Sequence, residues 1–224
     1  MSAGSLLVAN LVAVLLCAAL LGTIVRGHAS RSWSFTMYLA VALLSNRLVC
    51  WWPDYFFRLW FASLKELTYA ALMVVITLEL ATVSLARFRR ARRQAIIVGA
   101  TIAGCVALLV STTPSDGLQG RVGTTAALAN GGALFVLTAL LLVVYWYRLP
   151  LEPWHRAITQ GFVLYGGVYG VLLGAVGLFG LEAYRYLVAL DPAAYAATVG
   201  LWVIAAWRPE KAPAPAVAGA HAPS

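Results

Sequence analysis

The sequence predicts an all-α membrane protein that crosses the bilayer seven times, with its N-terminus outside and its C-terminus in the cytoplasm. Of its 224 residues, 62% are hydrophobic and 11% are charged, whereas a soluble domain carries about 25% charge. The apolar stretches are continuous and most approach the roughly 20 residues that a helix needs to cross a bilayer, rather than alternating as barrel strands do. Arginine is concentrated in alternate loops, which requires an odd number of crossings.

Each predicted span is an apolar segment, and most are bounded by turn-forming or charged residues. The first is interpreted as an uncleaved helix, because no basic leader precedes it and no small-residue cleavage site follows. Pro53 ends the second span, and Asp191-Pro192 precedes the seventh. The predicted spans, all in one domain over 1–207, are 5–25, 35–52, 59–86, 95–112, 123–147, 158–180 and 190–207, and the Ala/Pro-rich tail 208–224 is predicted to be disordered.

The positions of lysine and arginine predict the orientation of these spans. Of the sixteen, three (Arg58, Arg121 and Arg185) fall on the predicted outer side, and two (Arg47 and Lys65) lie inside predicted helices. The net charge of +8 is therefore explained by topology in a bacterial inner membrane, and no nucleic-acid partner is expected. The other eleven fall on the predicted inner side: Arg26, Arg31, Arg87, Arg89, Arg90, Arg92, Arg93, Arg148, Arg156, Arg208 and Lys211.

Two sequence features are interpreted as contacts with the membrane. Aromatic residues from Trp51 to Trp60 crowd the predicted outer turn between spans two and three. Their ordinary role is anchoring at the headgroup level, and the alternative is a lid over a ligand site. The basic run Arg87, Arg89, Arg90, Arg92 and Arg93 sets topology and is also expected to contact anionic lipid headgroups.

Glycines spaced by four mark one face of the sixth predicted span. Gly166, Gly170 and Gly174 share that face, which allows another helix backbone to approach closely. Packing within the monomer is the first interpretation. A homodimer through this helix is the alternative.

Ionisable side chains inside predicted spans are costly in lipid and are the candidate functional residues. Asn46 and Arg47 lie near the outer end of span two, and Lys65 and Glu66 lie in the outer part of span three. Two readings stay open: a polar pocket or ion path that opens outward, or an Arg47–Glu66 ion pair that fixes the register of the two helices. Glu79, expected to meet the inner arginines or another polar group, is a secondary candidate for binding. So are Trp51, Trp60 and Arg185.

Several chemistries have no support in the sequence. Cys17, Cys50 and Cys105 are isolated, and His28, His155 and His221 fall in predicted inner loops or the tail. No metal ligands, cofactor or catalytic residues are therefore assigned.

The stretch from Tyr55 to Arg93 contains Tyr55-Phe56-Phe57-Arg58, Trp60, Glu66, Glu79 and the Arg-rich inner loop. Over these roughly 40 residues it resembles a family of uncharacterised bacterial seven-helix membrane proteins. It supports the topology and implies no biochemical role.

Three functional hypotheses follow from the sequence. The first is a non-enzymatic sensor of a ligand, or an accessory subunit of a membrane complex, which would need a protein partner to respond. The second is a small-solute or ion transporter that uses Arg47, Lys65 and Glu66. The third is an intramembrane enzyme that modifies lipid.

Overall fold

The computed structural model describes residues 3–85, 118–148 and 151–209, and this part of the chain is helical with no strand. The predicted span 95–112, the basic run Arg87–Arg93 and the tail after residue 209 lie outside the described residues. Six of the described helices are long and apolar enough to cross a membrane. Most of the predicted spans are therefore confirmed as apolar helices.

The six long helices are connected by short turns wherever the intervening chain is described. Helix α2 follows α1 through a single 3₁₀ turn, His28–Ser30, and the one-turn helix α3 leads into α4. The helices are α1 Ala3–Val25, α2 Trp33–Trp51, α3 Pro53–Phe56, α4 Leu59–Ser84, α5 Leu118–Trp146, α6 Pro153–Phe179 and α7 Leu181–Trp207.

Two predicted helix boundaries in the last third of the chain are wrong. Helix α6 begins at Pro153 rather than at residue 158, because proline fits the first turn of a helix, where its missing N–H is not needed. Helix α7 begins at Leu181 rather than at residue 190 and continues through Pro192. The chain turns instead at Gly180, whose φ of 68° favours glycine.

Contacts between side chains fix the direction of each helix in the bundle. Helices α2 and α6 run parallel, because Arg31 and Tyr38 lie opposite His155 and Phe162 respectively. Helix α4 runs antiparallel to α2, since Ser34 contacts Glu79 while Tyr38 contacts Tyr69. Helix α5 is antiparallel to α6, because Gln160 contacts Tyr145 while Gly166 faces Leu134. Helix α7 is also antiparallel to α6, because Gly161 faces Trp202 while Tyr165 contacts Asp191. Helix α1 is antiparallel to α2, because Asn10 near its beginning contacts Arg47 near the end of α2.

This arrangement divides the bundle into two halves. One half contains the beginnings of α2 and α6 and the ends of α1, α4, α5 and α7, and we call it the closed half. We call the opposite half the open half. Helices α4 and α5 run in the same direction, so Ser84 and Leu118 lie at opposite ends of the bundle. Ala3 and Trp207 are likewise at opposite ends.

A packed aromatic core fills the closed half. Phe35 and Trp202 are fully buried, with ring centroids 4.9 Å apart, and Phe162 lies 4.9 Å from Trp202. Phe35 also contacts Trp154 at 5.5 Å. Close packing of these rings stabilises the bundle through dispersion contacts.

The glycines that allow close helix packing differ in part from those predicted. Gly161 faces the ring of Trp202, where an added Cβ would lie 2.2 Å from Nε1, and Gly166 faces Leu134 of α5 at 2.6 Å. A Cβ at Gly170 or Gly174 would meet nothing within 4 Å. Of the predicted face, only Gly166 therefore packs closely against another described helix.

Candidate functional site

The open half contains a large crevice of about 1400 Å³. Every one of the six long helices contributes to its wall, and its polar lining is concentrated on α2, α4, α6 and α7. The polar residues are Tyr38, Ser45, Asn46, Cys50, Lys65, Glu66, Tyr69, Asn130, Tyr165, Tyr169, Asp191 and Tyr195.

Five tyrosines are the most distinctive part of this lining. Tyr165 lies 5.3 Å from Tyr195 and 6.2 Å from Tyr169, measured between ring centroids. Tyr38 lies 5.6 Å from Tyr69 at the deeper end. Rings from four helices thus face one space, and each supplies an aromatic surface together with a hydroxyl group.

Asp191 places a carboxylate in the same crevice. Tyr165 of α6 donates a hydrogen bond to Asp191 Oδ1 of α7 at 2.9 Å. Because α7 continues through Pro192, this carboxylate lies inside a helix and not at a break before it. A carboxylate within an apolar helix is costly to remove from water, and the tyrosine hydroxyl offsets part of that cost.

The predicted polar pocket is brought together in part. Asn46, Lys65 and Glu66 line the crevice near the open end. Arg47 is not part of this lining and donates a hydrogen bond from Nη1 to Asn10 Oδ1 of α1 at 2.9 Å. Within the described ranges no ion pair joins Arg47 to Glu66, so Asn10 takes the place of the carboxylate expected to bind Arg47.

Glu79 lies in the closed half, away from the crevice. Its carboxylate accepts the backbone N–H of Ser34 at 3.3 Å and also the Ser34 hydroxyl. Ser34 is in the first turn of α2, whose N–H groups have no partner within the helix. Glu79 is therefore a cap supplied by a neighbouring helix, and its predicted partner in the Arg87–Arg93 cluster lies outside the described residues.

The closed half blocks the inner end of the crevice. Phe162 and Tyr38 form its floor, 5.1 Å apart, with Phe35 and Trp202 below them. Further down, His28 stacks on Trp154 at 4.9 Å. His28 and His155 are buried rather than lying in open loops, and the described residues contain no group of three or more metal-binding side chains.

The predicted aromatic and outer candidates lie apart from the crevice. Trp51 and Trp60 are 64% and 53% exposed, and neither contributes to the crevice wall. Arg185 is also exposed. The described positions of the two tryptophans therefore do not support a lid over the crevice.

Sequence reasoning missed the tyrosines and did not include Asp191 among the candidate residues. A usable signal was present, because Tyr165 and Tyr169 are four residues apart, as are Asp191 and Tyr195. Such pairs share a helix face.

The chain matches no protein-family model, no curated protein and no solved structure.

Proposed function

We propose that the chain crosses a bacterial inner membrane seven times, with its closed half toward the cytoplasm. The opposite positions of Ala3 and Trp207 support an odd number of crossings. Helices α4 and α5 run in the same direction, which supports one further crossing by the segment of the chain that connects them. Five arginines at the closed half support the orientation: Arg26, Arg31, Arg148, Arg156 and Arg208.

We propose further that the protein is a non-enzymatic sensor that binds a small amphiphilic ligand in the crevice. The crevice itself carries this proposal. It combines polar groups with an apolar wall and ends on a packed aromatic floor, and these are the features of a binding site rather than of a pore. The turns described at the closed half are short, so a partner protein would relay the bound state.

Filling the crevice tests the proposal. Gly170 lines the crevice and Gly174 does not, while a Cβ at either position would meet nothing within 4 Å. A panel of cationic, neutral and anionic amphiphiles should contain compounds that raise the thermal stability of the protein in nanodiscs. Gly170→Leu should abolish that stabilisation, and Gly174→Leu should retain it. Equal responses in both variants would refute ligand binding in the crevice.

A transporter is the second candidate, and one observation favours it. Pro192 removes one backbone hydrogen-bond donor from α7 directly beside Asp191, and a proline-interrupted helix that carries an intramembrane charge is typical of transport sites. Uptake of a small solute or ion into proteoliposomes, if it is lost in the Glu66→Gln variant, would support transport over sensing. The lipid-modifying enzyme and the homodimer through α6 stay predictions of the sequence.

A further inference from the structure

We propose that the ligand of the crevice is an organic cation, an amine or quaternary ammonium group with a short apolar tail. This inference rests on the proposed function and adds the chemical class of the ligand. Three properties of the crevice point to it: its tyrosine rings, its balance of charge and its apolar wall.

The tyrosines supply surfaces that attract a cation. The face of an aromatic ring is electron-rich, and cations are held within about 6 Å of ring centroids. Tyr165, Tyr169 and Tyr195 form one group with centroids 5.3 and 6.2 Å apart, and Tyr38 and Tyr69 form a second at 5.6 Å. Rings on four helices thus line one crevice, and proteins bind quaternary ammonium groups against such aromatic surfaces.

The ionisable side chains of the crevice favour a positively charged ligand. Among the described residues that line the crevice, Asp191 and Glu66 are acidic and Lys65 alone is basic. Among the described residues no basic side chain forms an ion pair with Asp191, and its known partner is the neutral hydroxyl of Tyr165. An intramembrane carboxylate usually pairs with a cation. A cationic ligand would fill that role.

The apolar part of the lining fits a short tail. Leu11, Val12 and Leu16 of α1 contribute to the wall, and Phe162 contributes to the floor. A ligand could therefore place its ammonium group among the tyrosines and its tail along α1. Alkyl groups would replace lipid or water against this wall.

The charge of the ligand can be tested with three small compounds of similar size. Trimethylphenylammonium is the cation, 2-phenyl-2-propanol the neutral counterpart and benzenesulfonate the anion. Their binding is measured by calorimetry to the full-length protein in nanodiscs of zwitterionic lipid, with empty nanodiscs as the blank. We expect the cation to bind at least about tenfold more tightly than either other compound.

Variants of the crevice separate charge from shape. Asp191→Asn keeps an acceptor for Tyr165 and should weaken binding of trimethylphenylammonium by about tenfold or more. Tyr195→Leu removes a ring and should also weaken it, whereas Glu152→Gln in the closed half should not. If Asp191→Asn fails to fold, as judged by thermal unfolding, Tyr195→Leu decides the matter.

The outcomes distinguish this inference from the function on which it rests. Equal binding of all three compounds that is abolished by Gly170→Leu would overturn the cationic ligand and leave the binding site intact. Absence of trimethylphenylammonium binding would also overturn the cationic ligand. The amphiphile panel with Gly170→Leu and Gly174→Leu then decides the proposed function by itself.

Discussion

Glu79 of α4 accepts the backbone N–H of Ser34, in the first turn of α2, at 3.3 Å. A carboxylate at this position satisfies an N–H group that lacks a partner within its helix and lies at the positive end of the helix dipole. This contact explains how a carboxylate is accommodated within a predicted span. It also joins two helices in the closed half of the bundle.

Glu79→Ala should lower the free energy of unfolding by about 1–2 kcal/mol, because Ser34 loses its acceptor. Glu79→Gln should cost less, since its amide oxygen can still accept the N–H. The measurement is unfolding of the purified protein in detergent. Glu66→Ala is the control, because Glu66 caps no helix and its side chain is exposed in the crevice. Equal losses in the two alanine variants would contradict the capping role.

Gly161→Ala should destabilise the protein by about 1–3 kcal/mol through overpacking. The added Cβ would lie 2.2 Å from Nε1 of Trp202, which is fully buried and cannot move aside. Gly170→Ala is the matched control, because its Cβ would meet nothing within 4 Å. The control should leave stability unchanged or raise it by up to about 1 kcal/mol, since alanine favours helix more than glycine. A Gly161→Ala protein as stable as the wild type would disprove this packing.

Length and hydropathy were sufficient to predict most of the helices that the structure describes. They failed at Pro192, because a proline in a membrane helix is tolerated where neighbouring groups accommodate the lost hydrogen bond. Asp191-Pro192 was accordingly predicted to be a breaker at the start of the seventh span. The end of α6 was predicted correctly, because the predicted span 158–180 ends at the glycine where the chain turns.

The candidate site was predicted only in part, because its residues are distant in sequence. Asn46, Lys65 and Glu66 were found as charges or amides in apolar segments. Tyr165 and Tyr195 resemble ordinary membrane aromatics until α6 and α7 bring them together. The partner of Arg47 was missed because Asn10 is uncharged, and hydropathy gives no information on which helices are neighbours.

A double-mutant cycle should distinguish the two partners considered for Arg47. Arg47→Met and Asn10→Ala should show a coupling of about 0.5–1 kcal/mol, because they share a hydrogen bond. Arg47→Met and Glu66→Ala should be additive within about 0.5 kcal/mol. Both cycles are measured by thermal unfolding under one set of conditions. Strong coupling to Glu66 with none to Asn10 would restore the ion pair expected from the sequence.

Anionic lipid should stabilise the protein through Arg148 and Arg156. These residues line a small pocket of about 200 Å³ at the closed half, together with Val144 and Tyr145. A lipid phosphate near such a pair gains about 1 kcal/mol per charge. Phosphatidylglycerol should therefore raise the melting temperature more than phosphatidylcholine does.

Replacing both arginines with glutamine should remove the difference between the two lipids. Arg58→Gln with Arg185→Gln is the matched control, because these two exposed arginines lie at the open half. The control should keep the preference for phosphatidylglycerol. Loss of the preference in the control pair alone would place the lipid contact at the opposite end of the bundle.

Reporters fused to the two ends of the chain should lie on opposite sides of the membrane. Helices α1 and α7 run in the same direction, since α1 is antiparallel to α2, α2 is parallel to α6, and α6 is antiparallel to α7. The chain therefore enters the bundle at the open half and leaves it at the closed half. An alkaline phosphatase fusion should be active at the N-terminus and inactive at the C-terminus, and green fluorescent protein should show the reverse. Activity of the same reporter at both ends would exclude an odd number of crossings. Alkaline phosphatase that is active only at the C-terminus would leave the fold unchanged but reverse its orientation, so that the crevice would face the cytoplasm.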